Sequence, residues 1–257
     1  MEYLVVSLVA LLASALTLFS GFGLGTLLLP AFLLFFPAEL SVAMTAVVHL
    51  LNNLFKLVLL GRWAEWPVVL RFGLPAIAAS FSGAWVLVTA SEMSPLYVYN
   101  LLGRERTVLP VTVLMGLLII GFAVLEMRPP RDHPGRERRG LVMGGLLSGF
   151  FGGLSGHQGA LRSAFLLRAG LAKEAFIATG VVISCLVDLS RIGVYAEHLV
   201  GAASQLPWGL MAVAAVAAFL GAVAGRRAMG RVTMQGVRRL VAVLLALVGA
   251  GVVAGLL

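Results

Sequence analysis

Residues 3–36 read YLVVSLVALLASALTLFSGFGLGTLLLPAFLLFF and contain no charged side chain. A helix needs roughly 20 apolar residues to cross the hydrocarbon core of a bilayer. The apolar part of a cleaved signal peptide is only about 7–15 residues and follows a positive stretch, which Met1-Glu2-Tyr3 does not supply, so the run is expected to be retained in the mature chain. Outside this run the sequence has the same character. Of the 257 residues, 60% are hydrophobic and 12% charged, whereas soluble domains carry about 25% charged residues. The expected fold class is therefore all-α, a polytopic integral membrane protein without a soluble domain.

Apolar runs and their breaks give about eight transmembrane segments, near 3–36, 40–60, 67–90, 107–125, 141–168, 174–195, 207–224 and 237–257. The longest polar interruption, 126–140, is basic and carries Pro129, Pro130 and Pro134. It divides the chain into 1–125 and 141–257. The net charge of +8 comes mainly from arginines in short links between apolar runs, where they orient membrane segments, so nucleic acid is not an expected partner. The single cysteine, Cys185, lies within an apolar run and reads as a small core residue.

The two halves echo each other. Gly23 through Leu34 reads GLGTLLLPAFLL and Gly156 through Leu167 reads GHQGALRSAFLL, 133 residues apart. Thr45 faces Thr179 at a separation of 134, and Asn53 and Lys56 face Asp188 and Arg191 at 135. Arg104-Glu105-Arg106 precedes the last segment of the first half, and Arg226, Arg227, Arg231, Arg238 and Arg239 precede the last of the second. The expected architecture is two four-segment repeats. In duplicated secondary transporters the substrate site lies near the midplane between repeats and is formed by interrupted helices. Segment one is interrupted by Gly21, Gly23 and Gly25 and by Pro30, and segment five is glycine-rich from Gly144 to Gly159. Any one of these glycines alone reads as a helix-packing residue; their matched placement points to a site.

Ionisable groups inside spanning segments are costly and mark function by default. Here they are Lys56, Arg162, Asp188 and Arg191, accompanied by His49, Asn52, Asn53, His157 and Gln158. Asp188 and Arg191, at i and i+3, form either an ion pair or part of a transport site. Arg162 follows the glycine break by one turn, and its planar donor fork suits carboxylate, sulfonate or phosphate oxygens; the alternative is partnership with Asp188. Lys56 and Arg168 lie nearer segment ends and are expected to snorkel to the interface. Gln158 and His157 either donate to an oxyanion or satisfy backbone freed by the break. Gly21, Gly23, Gly25, Asn53, Gly156, His157, Gln158, Arg162, Asp188 and Arg191 are the candidate substrate-binding residues. No catalytic residue, metal or cofactor is expected.

The opening GFGLGTLLLP, its echo SGFFGGLSGHQGALRSAFLL and the four-plus-four layout resemble the sulfite exporter TauE/SafE family of permeases over nearly the whole chain. The resemblance implies transport of a small anion, such as sulfite, a sulfonate or sulfoacetate, across a bacterial inner membrane. The second half departs from the family's pattern, with Ser163 opposite Pro30 and His157-Gln158 in place of glycines. A coupling ion, proton or sodium, and a homo-oligomer stay open. Orientation also stays open: with eight crossings the two arginine groups fall on opposite faces, and if segments one and five double back the answer changes.

One rival is a rhomboid-type serine protease. Gly153-Leu154-Ser155-Gly156 reads GxSG, His198 is the downstream histidine that would act as base, and His49 and Asn53 would donate to the oxyanion. Against it, GxSG is short and falls in a glycine run partly echoed in the other half. Another is a scaffold protein, in which every polar midplane residue is paired.

Overall fold

Proline decides where several helices start. Pro37 caps the N-terminus of one helix and a second proline stands in the first turn of the next, positions where the missing N–H costs nothing. The computed structural model describes residues 1–20, 24–101, 103–127, 140–201, 206–228 and 234–256. Its helices are α1 (Glu2–Ser20), α2 (Leu24–Leu33), α3 (Ala38–Leu60), α4 (Trp66–Ser91), α5 (Pro110–Met127), α6 (Leu141–Ser155), α7 (Gly159–Leu166), α8 (Lys173–Gly201), α9 (Trp208–Ala228) and α10 (Met234–Val253). Spans Leu40–Trp63, Trp66–Ser91, Lys173–Ala196 and Trp208–Gly225 are long and apolar enough to cross a membrane, and the remaining helices are shorter but also apolar.

The expected first segment is thus two helices, α1 and α2, and the expected fifth is α6 and α7. A two-stranded antiparallel hairpin, β1 (Tyr97–Leu101) and β2 (Arg104–Val108), was not anticipated. It pairs Tyr97 with Val108 and Leu101 with Arg104, so the fourth expected segment begins at Pro110 rather than 107. The hairpin is tied to the end of α10: Tyr99 donates to the Ala254 carbonyl and Arg106 Nη1 to the Leu256 carbonyl.

Burial is inverted relative to a water-soluble fold. Leu70, Leu74, Phe81 and Trp85 on α4 and Val213, Val216 and Leu220 on α9 are exposed, while His49, Asn52, Asp188 and Arg191 are buried. Apolar side chains over so much of the surface match a hydrocarbon solvent. Polar groups inside must then be satisfied by one another.

Glycine sets which helices touch. Along α6, Gly145, Gly149 and Gly153 meet Phe72, Ala76 and Ser80 of α4 in the same order, so the two helices run parallel. The approach is so close that a Cβ at Gly149 would stand 2.2 Å from the Ala76 carbonyl oxygen. Gly221 and Gly225 of α9 meet Leu11 and Ala15 of α1, again in parallel, and a Cβ at Gly221 would stand 2.1 Å from the Leu11 carbonyl oxygen. Small residues of this kind let membrane helices pack through their backbones. Helix α7 doubles back along α6, since Phe165 near its end covers Gly144 near the start of α6. Central helices α3 and α8 run antiparallel, joined at His49–Asp188 and again where the Glu65 N–H donates to Thr179 Oγ1. Gly116 of α5 and Gly249 of α10 face each other's backbone.

Candidate functional site

Helix α6 stops at Gly156, which has φ +78 and donates its N–H to the Gly152 carbonyl. This left-handed position is strained for any residue with a Cβ. Space adds a second reason for glycine, because a Cβ there would lie 2.6 Å from Arg191 Nη1. After His157 and Gln158, both buried, α7 begins at Gly159. The start of α2 approaches the same spot: a Cβ at Gly25 would stand 3.3 Å from the Gly156 carbonyl oxygen and 3.6 Å from Thr45 Cγ2. The start of α2 and the break between α6 and α7 therefore meet inside the protein.

Asp188 is the hub of this region. Its Oδ1 accepts from Arg191 Nε at 3.1 Å and Nη2 at 2.8 Å, and from Gln158 Nε2 at 3.4 Å. Its Oδ2 lies 2.6 Å from His49 Nδ1 and accepts from Asn53 Nδ2 at 3.4 Å. A buried carboxylate needs this density of donors to offset its lost hydration. The i, i+3 pair foreseen between Asp188 and Arg191 is present, with His49 as a further partner.

Arg162 is placed differently from its expected alternative. It donates to Gln158 Oε1 at 3.2 Å and to Ser184 Oγ, and among the described residues no carboxylate forms an ion pair with it. Ser184 was missed from sequence, although it stands one turn before Asp188 on the same helix face. Lys56 also departs from expectation: as a residue it is only 6% exposed, and among the described residues it forms no ion pair.

Several buried polar atoms have no hydrogen-bond partner among the described residues: Arg191 Nη1, His157 Nε2, Thr45 Oγ1 and Asn52 Nδ2. Asn52 accepts from Ser14 through its carbonyl oxygen, which ties α1 to α3. The His157 ring stacks on Phe122 with centroids 5.0 Å apart. Gly21 and Gly23 lie outside the described residues, as do the side chains of Glu197 and His198. Ser155 Oγ back-bonds to the Phe151 carbonyl and lies 3.1 Å from His157 Nδ1. Nothing among the described residues favours the protease. Nor does any cluster of three or more His, Cys, Asp or Glu residues there suit a metal ion.

A buried polar cluster inside a shell of lipid-facing helices defines a multi-pass membrane protein of transporter type. The chain belongs to the sulfite exporter TauE/SafE family, whose model matches residues 6–252. That family consists of membrane transporters, not enzymes. No curated protein and no solved structure matches the chain.

Proposed function

We propose that this protein carries a small oxyanion, such as sulfite, a sulfonate, sulfoacetate or a related organic anion, across a bacterial inner membrane through a site where the two helix breaks meet. The observation that carries this reading is the charge balance at the breaks. Two guanidinium groups, Arg162 and Arg191, face one carboxylate, Asp188, and Arg191 Nη1 is left without a partner beside Gly156. Uncompensated positive charge in a low-dielectric interior is costly until an anion neutralises it. Arg162 and Arg191 supply forked donors to the anion's oxygens, Gln158 and His157 add neutral donors, and Asp188 with Asn53 holds Arg191 in place. The glycines of both breaks, Gly21, Gly23, Gly25 and Gly156, let the anion approach backbone N–H groups.

The site falls between two copies of one unit, 1–125 and 141–257. Packing supports the duplication, because it exchanges partners symmetrically. Helix α6 lies on α4 as α1 lies on α9, while α3 meets α8 and α5 meets α10. Gly116 and Gly249, which face each other, are separated by the same 133 residues as the two glycine-led stretches.

Helix directions favour inverted copies, each opening with a hairpin that makes no net crossing. Helix α9 starts on the side where α8 ends and α3 begins, and α1 runs parallel to α9. So α1 starts on that side and α2 returns to it before α3. Helix α6, parallel to α4, enters from the opposite side, and α7 brings the chain back there. The expected eight segments then resolve into six crossings and two opposed hairpins. The ends of α5 and α9, from which the arginine-rich links lead, then share one face with the starts of α6 and α10, and the positive-inside rule assigns that face to the cytoplasm.

The test is flux in vesicles reconstituted with the purified protein, using sulfite, methanesulfonate, acetate and sulfate. Sulfite or methanesulfonate flux is expected, falling at least tenfold in Arg162→Ala. Absence of flux for every anion would remove the reading. An unchanged rate in the variant would remove Arg162 from the site.

A further inference from the structure

Lys56 is buried in α3 with no hydrogen bond or ion pair among the described residues. A lysine four residues from a helix end ordinarily snorkels to water; only 6% of this one is exposed. A cation with so little solvent and no ion partner is costly for a membrane protein to keep. A second cation stands toward the same end, since Arg162 lies against Ser184 and Gly180 of α8, the helix that packs on α3. The guanidinium of Arg162 is held by two neutral groups, Gln158 and Ser184, and Gly180 leaves room at its Nε.

Geometry separates Lys56 from Arg191. Helices α3 and α8 are antiparallel and cross where Asn53 meets Asp188. Lys56 lies three residues beyond Asn53 and Arg191 three beyond Asp188, so each is displaced by about 4.5 Å along its axis in opposite directions. Arg162, one turn into α7, lies on the returning arm of the α6–α7 hairpin, which leads to the end of the protein where α3 finishes. That is the Lys56 side.

We propose that Lys56 builds a second oxyanion subsite with Arg162, which the two subsites share, on the side of the helix breaks opposite Arg191 and toward the face where α3 ends. This rests on the transport reading and extends it from one site to two. A point-charge ammonium and a planar fork together suit an anion with at least two oxygens on one centre. An ion leaving Arg191 then meets Lys56 and Arg162 before it meets lipid or the far loops.

The test uses the full chain in detergent and in oriented vesicles, with sulfite as probe. In Lys56→Met the thermal midpoint without anion is expected to rise or hold, because an unpaired buried charge is gone, and the upward shift that sulfite gives the wild type is expected to shrink by at least half. The half-saturating sulfite concentration is expected to rise at least tenfold on the arginine-rich face and stay within twofold on the other. Lys56→Arg is expected to restore both values. A lower midpoint in Lys56→Met, including failure to fold, would overturn the proposal, because it would make Lys56 a structural partner. So would equal changes on both faces, or none. If the wild type moves no sulfite, the transport reading falls, and the sulfite-induced midpoint shift still decides whether Lys56 binds the anion.

Discussion

Helices α3 and α8 place polar groups in the same pattern and treat them differently. Each carries a residue at the crossing and a cation three positions on: Asn53 and Lys56 in α3, Asp188 and Arg191 in α8. In α8 the first member is a carboxylate, and it neutralises its own cation within one turn. In α3 the first member is a neutral amide, and the cation forms no ion pair among the described residues. Matching positions thus hold one ion pair and one cation without one. The difference rests on a single atom pair, the amide of Asn53 against the carboxylate of Asp188.

The comparison breaks hardest at Arg191. Removing it in Arg191→Ala strands a buried carboxylate on His49, Asn53 and Gln158, and a cost of about 3–5 kcal/mol is expected, by analogy with buried pairs that lose one partner. Thermal unfolding in detergent measures it; a variant as stable as wild type would show that Asp188 does not depend on Arg191. Asp188→Asn makes α8 resemble α3. It leaves Arg191 as bare as Lys56, and the expected result is a smaller loss, about 2–3 kcal/mol, recovered in part when sulfite is added. Recovery without any anion would contradict the reading.

Asn53→Asp sharpens the comparison from the other direction, because it gives α3 the pattern of α8. Lys56 would gain a carboxylate at i−3, and sulfite flux is expected to fall at least tenfold while the fold stays intact by size exclusion. The smallest effect is expected from Tyr195→Phe, further along α8. It removes the hydroxyl that donates to the Gly153 carbonyl and should cost about 1 kcal/mol with flux retained. A large loss of flux there would extend the site beyond the crossing.

Much of this was legible in the sequence for a plain reason. Lipid-facing helices must be apolar along their length, so the runs are visible, and a glycine break inside a run has few uses. Gly156, Gln158, Arg162, Asp188 and Arg191 follow from charge and position alone, and they do come together. Other features depend on neighbours that no local pattern names. Whether a segment runs on or doubles back is set by which helix it lies against, as Phe165 on Gly144 illustrates. Lys56 is close enough to a helix end to snorkel, and its burial is set by the helices packed around α3, which no local pattern names. The hairpin from Tyr97 to Val108 is short, and its strands are stabilised by residues 155 and 150 positions later.

Parallel packing of the opening helices also bears on the order in which the protein can be built. Synthesis proceeds from the N-terminus, and parts of a chain associate as their partners emerge. Helix α6 appears when α4, the helix that receives its glycines, is already made. Helix α1 appears first of all, and its counterpart α9 is among the last helices to leave the ribosome. Two arms of matching design therefore have opposite histories. The second can dock at birth, whereas the first must be sheltered in the membrane until the C-terminal fifth arrives, which makes truncation before Trp208 a lesion of the N-terminal end.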